Sequence, residues 1–286
     1  MKLFTSFFIT CLSAFSFSQA NLSGVWQGVL LRDGLKESEA LIFYIDFKIS
    51  GKEISGRTRQ EVYDTDLYAL QKIKGTQDKN KVDFKEFVIE NKKASSKITW
   101  CSSDFKGEYI DSLGYIKGDY KSSTCKRVSG KFILYRSKAK FSETEIPNLG
   151  HAWRDVFLMD LKFGRKAPEI RDKERENFKF QPIFFDHDKT EIKLEFQPYL
   201  LEMIRVVNGH SDLRIQVTGH TDADGSDIYN VDLSQRRAKA IETFFKTNGL
   251  ELKKLQIDFK GESEPIDNNQ TEAGKKQNRR VDFKFI

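Results

Sequence analysis

Gly219-His220-Thr221-Asp222-Ala223-Asp224-Gly225-Ser226-Asp227-Ile228-Tyr229-Asn230-Val231-Asp232-Leu233-Ser234-Gln235-Arg236-Arg237-Ala238 runs from a strand end, through a polar turn, into a helix. Upstream, Leu213, Ile215 and Val217 alternate with Arg214, Gln216 and Thr218, which predicts a strand with one buried face. Downstream, Asn230, Leu233, Arg237, Ile241 and Phe244 recur at three- and four-residue steps and share one helix face. Ser226 or Asp227 can cap that helix, and Asn248-Gly249 ends it. Arg237 lies between Leu233 and Ile241, where a guanidinium loses water and needs an anion. Arg236, about 100° further round, has an easier route to solvent. Asp222, at the adjacent strand end, is the expected partner. Spacing alone leaves two readings open: a structural ion pair, or two halves of a site for a zwitterion.

The neighbouring elements extend this unit. Phe178 to Phe185 is aromatic and strand-like, with Pro182 demanding an edge or a bulge. Phe196, Leu200, Ile204 and Val207 follow at helical spacing, and Asn208-Gly209 stops that helix. Leu255, Ile257 and Phe259 alternate, as do Val281, Phe283 and Phe285. One-sided strands with two amphipathic helices predict a two-layer α/β sandwich over residues 178–286, in the order βαβαββ.

The first half has another rhythm. Residues 21–142 contain about eight short alternating segments, among them Gly24 to Leu30, Leu41 to Ile49, Lys81 to Ile89 and Gly130 to Tyr135. Glycine-marked turns at this spacing predict an antiparallel β-barrel or sandwich. Ile54 to Glu61 is polar on both faces, which argues against a lipid-facing barrel. Between the halves, 143–177 reads as a linker with a short helix at Ala152 to Met159. The charged run from Lys166 to Glu176 reads as a solvated spacer.

Residues 1–20 hold Lys2, a short apolar run and small residues at Ser16, Ser18 and Ala20, as a cleaved secretory signal does. That run is shorter than the roughly 20 residues a bilayer span needs. Loss of Lys2 takes the formal charge from +6 to +5, with 48 basic and 42 acidic residues mixed along the chain. No basic stripe with interleaved aromatics appears, so nucleic acid is excluded as the expected partner. In an exported chain Cys101 and Cys125 are expected to form a disulfide. Ser-His-Asp order, metal-ligand spacing and a placeable carboxylate pair are all lacking, so the reading is of a non-enzyme without metal or cofactor.

Gly-His-Thr-Asp at 219–222, Tyr-Asn at 229–230, Leu-Ser-x-x-Arg-Ala at 233–238, Gly-Glu-x-x-Pro at 261–265 and Asn-Arg-Arg-Val at 278–281 occur in order over about 110 residues. Together they resemble the OmpA-like C-terminal domain family, with Phe184-Phe185-Asp186 at the usual entry. The resemblance implies non-covalent binding of peptidoglycan through the diaminopimelate of its stem peptide. Asp222 would receive the ligand ammonium and Arg237 its carboxylate, through two parallel hydrogen bonds. Thr221, Tyr229, Asn230 and Leu233 would line the pocket, and Asn278, Arg279 and Arg280 would close it. For Tyr229 and Leu233 a core or wall role fits equally, His220 reads as a packing residue, and one of Arg279 and Arg280 is expected to reach solvent. An exported protein associated with the outer membrane follows, with envelope proteins as further partners of the first half. Ser23-Gly24-Val25-Trp26-Gln27-Gly28 weakly resembles the first strand of lipocalin-like and avidin-like barrels. The alternative function is thus a carrier of small apolar molecules in a barrel lumen, with the second half as a wall anchor.

Overall fold

The computed structural model describes residues 20–144 and 150–286, so the expected leader falls almost wholly outside the described residues. The chain divides into two compact units, Met1–Phe157 and Leu158–Ile286.

In the first unit β1 (Gly24–Arg32), β2 (Leu41–Ser50), β3 (Glu53–Glu61), β4 (Tyr68–Asp78), β5 (Lys81–Lys93), β6 (Ser103–Ile110), β7 (Tyr115–Ser122) and β8 (Ser129–Arg136) form a closed up-and-down antiparallel barrel. β1 closes on β8, with Gly28 opposite Leu134. Strand alternation sends apolar residues inward and charge outward: on β5, Val82 and Phe84 are buried while Lys81, Asp83 and Lys85 are exposed. This polarity suits water outside, the reverse of a lipid-facing barrel.

The lumen is packed by aromatic rings. Phe84 stacks on Phe105 at 4.7 Å between centroids, and Phe105 meets Phe43 at 5.2 Å and Phe132 at 5.5 Å. A Cβ on Gly107 or Gly118 would approach the Phe132 ring to 2.6 or 2.7 Å, so these glycines make room for it. Trp26 donates its indole N–H to the Leu22 carbonyl, drawing the first described residues under one end of the barrel. The rings thus fill the lumen around Phe84, Phe105 and Phe132, which leaves a carrier role only the space at the end of the barrel.

The doubly polar segment of β3 is explained by cover on both sides. Thr58 and Gln60 face inward, where they donate to the buried Glu86 carboxylate at 2.6 and 2.9 Å, and the Ser103 N–H adds a bond at 3.1 Å. Burial pushes Glu86 up to about 7, against those hydrogen bonds. Arg59 and Glu61 face outward but form a buried ion pair, to which His151 adds a 2.9 Å bond. Here α1 (Trp153–Lys162) begins, and Trp153 and Phe157 pack on Tyr44, Tyr115 and Tyr135 of the barrel wall.

Cys101 and Cys125 form the expected disulfide, joining the β5–β6 loop to the β7–β8 loop across 24 positions. Closing a loop of this length restricts the unfolded chain by about 3 kcal/mol. The double replacement Cys101→Ser and Cys125→Ser is expected to lower barrel stability by that amount in urea unfolding followed by tryptophan fluorescence. All three tryptophans, Trp26, Trp100 and Trp153, belong to this unit. An unchanged midpoint would contradict the staple.

Among its described residues, the expected linker at 143–177 is largely helical: α1 stands where the short helix was expected, and a second helix follows. Pro168 opens α2 (Pro168–Asn177), and Arg171 donates to Asp160 at 2.8 Å and to the Gly209 carbonyl at 3.4 Å. Glu174 pairs with Lys166 and Arg205. The charge run read as a solvated spacer is instead an ion-paired helix of the second unit, and the boundary lies at Phe157/Leu158.

The second unit continues with β9 (Ile183–Phe184), α3 (Gln197–Gly209), β10 (Ile215–Gly219), α4 (Asp227–Thr247), β11 (Leu255–Phe259), α5 (Glu272–Asn278) and β12 (Arg280–Phe285). The sheet order is β11-β10-β12-β9, so β9, with Pro182 before it, takes the expected edge. β10 and β11 run parallel, and the other pairs are antiparallel. Helix residues Leu200, Met203, Val207, Ile241 and Phe245 cover Ile215, Val217, Val281 and Phe283. The two-layer sandwich stands as expected, with one addition: α5 interrupts the βαβαββ order, in a segment that reads as polar loop.

Candidate functional site

The site grows from one close approach. A Cβ on Gly219 would lie 2.1 Å from the Ser234 carbonyl oxygen, so only glycine lets α4 cross the end of β10 at this depth. Ser234 accepts the Gly261 N–H at 3.0 Å, and Thr221 donates its N–H to the Gly261 carbonyl at 2.9 Å. Those bonds fix Thr221 and Asp222 just past β10. Ser226 caps α4 by accepting the Tyr229 N–H, which sets the phase of Asn230, Leu233 and Arg237.

Asp222 is 3% exposed and Arg237 fully buried, yet they do not pair as expected. Arg237 donates Nε–H to the Lys189 carbonyl at 3.0 Å, Nη1–H to that of His220 at 3.0 Å and Nη2–H to that of Asp186 at 3.1 Å. Three carbonyls replace the anion that sequence demanded, and the guanidinium ties the 186–189 loop to the end of β10. Burial depresses its pKa to about 10, with the charge of Asp222 opposing, so it remains a cation at neutral pH.

The ion-pair partner of Asp222 is Arg279, whose Nη1 lies 2.7 Å from Oδ2. Helix α5 places Arg279 there: Asn278 ends it and accepts the N–H groups of Ile266 and Asp267 at 2.8 and 3.0 Å. Asn278 also donates to Asp267 and Asn269, so its amide holds the 264–269 loop. Arg280 bonds Asp282 at 2.9 Å and the Glu264 carbonyl at 3.2 Å. Both arginines are buried, which corrects the expectation that one reaches solvent. His220 is a buried packing residue within 3.3 Å of Asp282, as its position suggested.

Tyr229 is 40% exposed and bonds Asp188, while Leu233 is buried as wall. Asn230 donates to Glu262. Of seven buried side-chain atoms without a hydrogen-bond partner among the described residues, five belong here: Thr221 Oγ1, Asn230 Oδ1, Arg279 Nε, His220 Nδ1 and Arg280 Nη1. Buried polar groups are ordinarily satisfied, so each of these five atoms is open to a further hydrogen-bond partner.

Three neighbours escaped the sequence reading. His187 lies 3.7 Å from Asp222, and Asp224 pairs with Lys275 of α5 at 2.8 Å. That bond holds the Asp224 carboxyl below the usual carboxylate range. His187, Asp222 and Asp224 bring potential metal-ligand atoms within 4.8 Å of one another. Arg279 and Lys275 already balance the two carboxylates, so the cluster is charge-matched without an ion. Asp224 was visible in the opening stretch, whereas Lys275 was hidden in a segment whose helix leaves little apolar trace.

The OmpA family model matches residues 184–279, so the second unit carries an OmpA-family domain. Outer membrane protein A of Bordetella avium is 31% identical over 103 residues, covering 36% of this chain and 53% of that protein. A peptidoglycan-associated lipoprotein of Pseudomonas aeruginosa is 32% identical over 102 residues, 36% of this chain and 60% of that protein. The crystal structure of the peptidoglycan-associated lipoprotein from Burkholderia pseudomallei aligns with a TM-score of 0.36 and 26% identity, over 37% of this chain and 90% of that one. The chain spans at most 53% of the length of the first three curated relatives it matches.

Proposed function

We propose that the protein binds peptidoglycan non-covalently through its second unit and so tethers itself within the cell envelope. The observation that carries this reading is the set of unpartnered buried atoms around the Asp222–Arg279 pair. The OmpA-family match and the relative named as peptidoglycan-associated support it. Relatives named as outer membrane proteins support an exported protein near the outer membrane.

The recognised group is the zwitterionic end of diaminopimelate in the stem peptide. Its ammonium is taken by Asp222, which shares its carboxylate with Arg279. Its carboxylate is taken by the unused Nε–H of Arg279, with Thr221 and Asn230 supplying neutral polar contacts. Arg237 adds positive charge and holds the 186–189 loop in place. A charged contact in so desolvated a site discriminates strongly, because a ligand lacking the carboxylate leaves a buried donor unpaired.

A stem tripeptide containing diaminopimelate is therefore expected to displace the protein from purified sacculi. The lysine-containing tripeptide, which has the ammonium without the carboxylate, should be at least about tenfold weaker. Equal displacement by both would overturn the diaminopimelate assignment.

A further inference from the structure

We propose that the open end of the barrel is a second binding site, for an amphipathic monocarboxylate: an aliphatic or aromatic body carrying one carboxylate. A cavity of about 440 Å³ opens where the β1–β2, β3–β4, β5–β6 and β7–β8 loops meet. This volume falls within the range of small-molecule sites, roughly 300–1,000 Å³. Its walls are mainly apolar, formed by Leu30, Leu41, Ile98, Trp100 and Val128. The packed aromatic lumen lies beyond them, so a ligand enters one end and goes no deeper.

Two polar groups on this wall lack partners. Tyr120 is 6% exposed, and its phenol makes no hydrogen bond among the described residues. Burial pushes its ionisation up to about 12, so the group stays an O–H donor. Arg32, exposed at the rim, lines the same cavity and acts electrostatically on that phenol, opposed by the carboxyl groups of Asp33 beside it and of the buried, hydrogen-bonded Glu86. It has no ion pair or side-chain hydrogen bond among the described residues, unlike Arg154, whose donors are committed to Asp155, Ser38 and Ala40. The charged lining comprises Arg32, Lys97 and Arg154 against Glu39, a positive excess. An unpaired guanidinium beside an unpaired phenol O–H, at the edge of an apolar cavity, matches a carboxylate on an apolar body.

The loops forming this mouth are held in place. The Cys101–Cys125 disulfide ties the loop bearing Ile98 and Trp100 to the loop leading to Val128. Trp100 donates its indole N–H to the Lys93 carbonyl at 2.9 Å. The cavity is thus built into the folded barrel. It is independent of the wall-binding site and survives if that reading fails.

The test is titration of the full chain with decanoate, 2-naphthoate and the neutral 1-decanol, followed by calorimetry and by tryptophan fluorescence. Saturable one-to-one binding of at least one carboxylate is expected, with decanol at least about tenfold weaker than decanoate. Arg32→Gln should weaken carboxylate binding about tenfold, and Tyr120→Phe several-fold, each with the wild-type unfolding midpoint. No saturable carboxylate binding up to about 1 mM would overturn the proposal. So would equal affinity for decanoate and decanol, or undiminished binding by a folded Arg32→Gln protein.

Discussion

Arg237→Met is expected to destabilise the second unit by roughly 3 kcal/mol or more while leaving the barrel untouched. The replacement fills similar space but removes every donor, stranding the carbonyls of Lys189, His220 and Asp186. Each stranded buried acceptor costs about 1–3 kcal/mol. Arg237→Lys restores the charge but cannot span three acceptors with one ammonium, so it should recover less than half of the loss. Urea unfolding separates the two units, since tryptophan fluorescence reports the barrel and far-UV circular dichroism reports both. A circular dichroism transition at the wild-type midpoint would contradict this role for Arg237. The consequence for function is practical. Loss of wall binding in an Arg237 variant does not by itself show ligand contact, and the cleaner probes are Asp222 and Arg279.

The barrel is expected to lose stability as pH rises from 4.5 towards 7, with Glu86 as a principal cause. Its folded-state value of about 7 lies above the ordinary 4.5, so between these limits the folded state binds more protons than the unfolded one. The contribution is fully present below 4.5 and lost as pH climbs through 7. A shift of this size corresponds to about 3 kcal/mol. Glu86→Gln keeps the shape, lets the Thr58 and Gln60 side chains reorient as partners, and cannot ionise. The variant should be more stable than wild type at pH 8, by up to about 3 kcal/mol, and close to it at pH 4.5. Urea titrations of both proteins at the two pH values check this. Parallel pH profiles would show that Glu86 is not the source.

What could be read from sequence followed from periodicity and local signals. The alternation of Leu213, Ile215 and Val217 and the 3.6-residue rhythm through Leu233 and Ile241 survive because each reports a single buried face. The barrel strands were countable for the same reason, but closure was not, since the β1–β8 pairing joins segments a hundred residues apart. Where a charge is buried, composition misleads. Lys166 to Glu176 has the residues of a spacer, yet Arg171 and Glu174 find partners on other elements that no local pattern announces. Arg237 is the sharper case. Sequence correctly required a counter-group, but backbone carbonyls contributed by a distant loop carry no residue identity to be recognised. Glu86 alternates with Val82 and Phe84 as an inward position, and only its three donors, two from β3 and one from β6, make that tolerable. The 278–281 motif drew attention to Arg279 but could not say that it, and not Arg237, meets Asp222.

Co-sedimentation of the mature protein with purified diaminopimelate-type sacculi, wild type beside Asp222→Ala, tests the wall-binding account most directly. Removing one partner of a buried charged contact typically costs about 2–5 kcal/mol, or a loss of at least about thirtyfold in affinity. The account predicts that wild type pellets with the sacculi while a folded Asp222→Ala protein stays in the supernatant. Equal pelleting of the two proteins, or wild-type protein left in the supernatant, would contradict it.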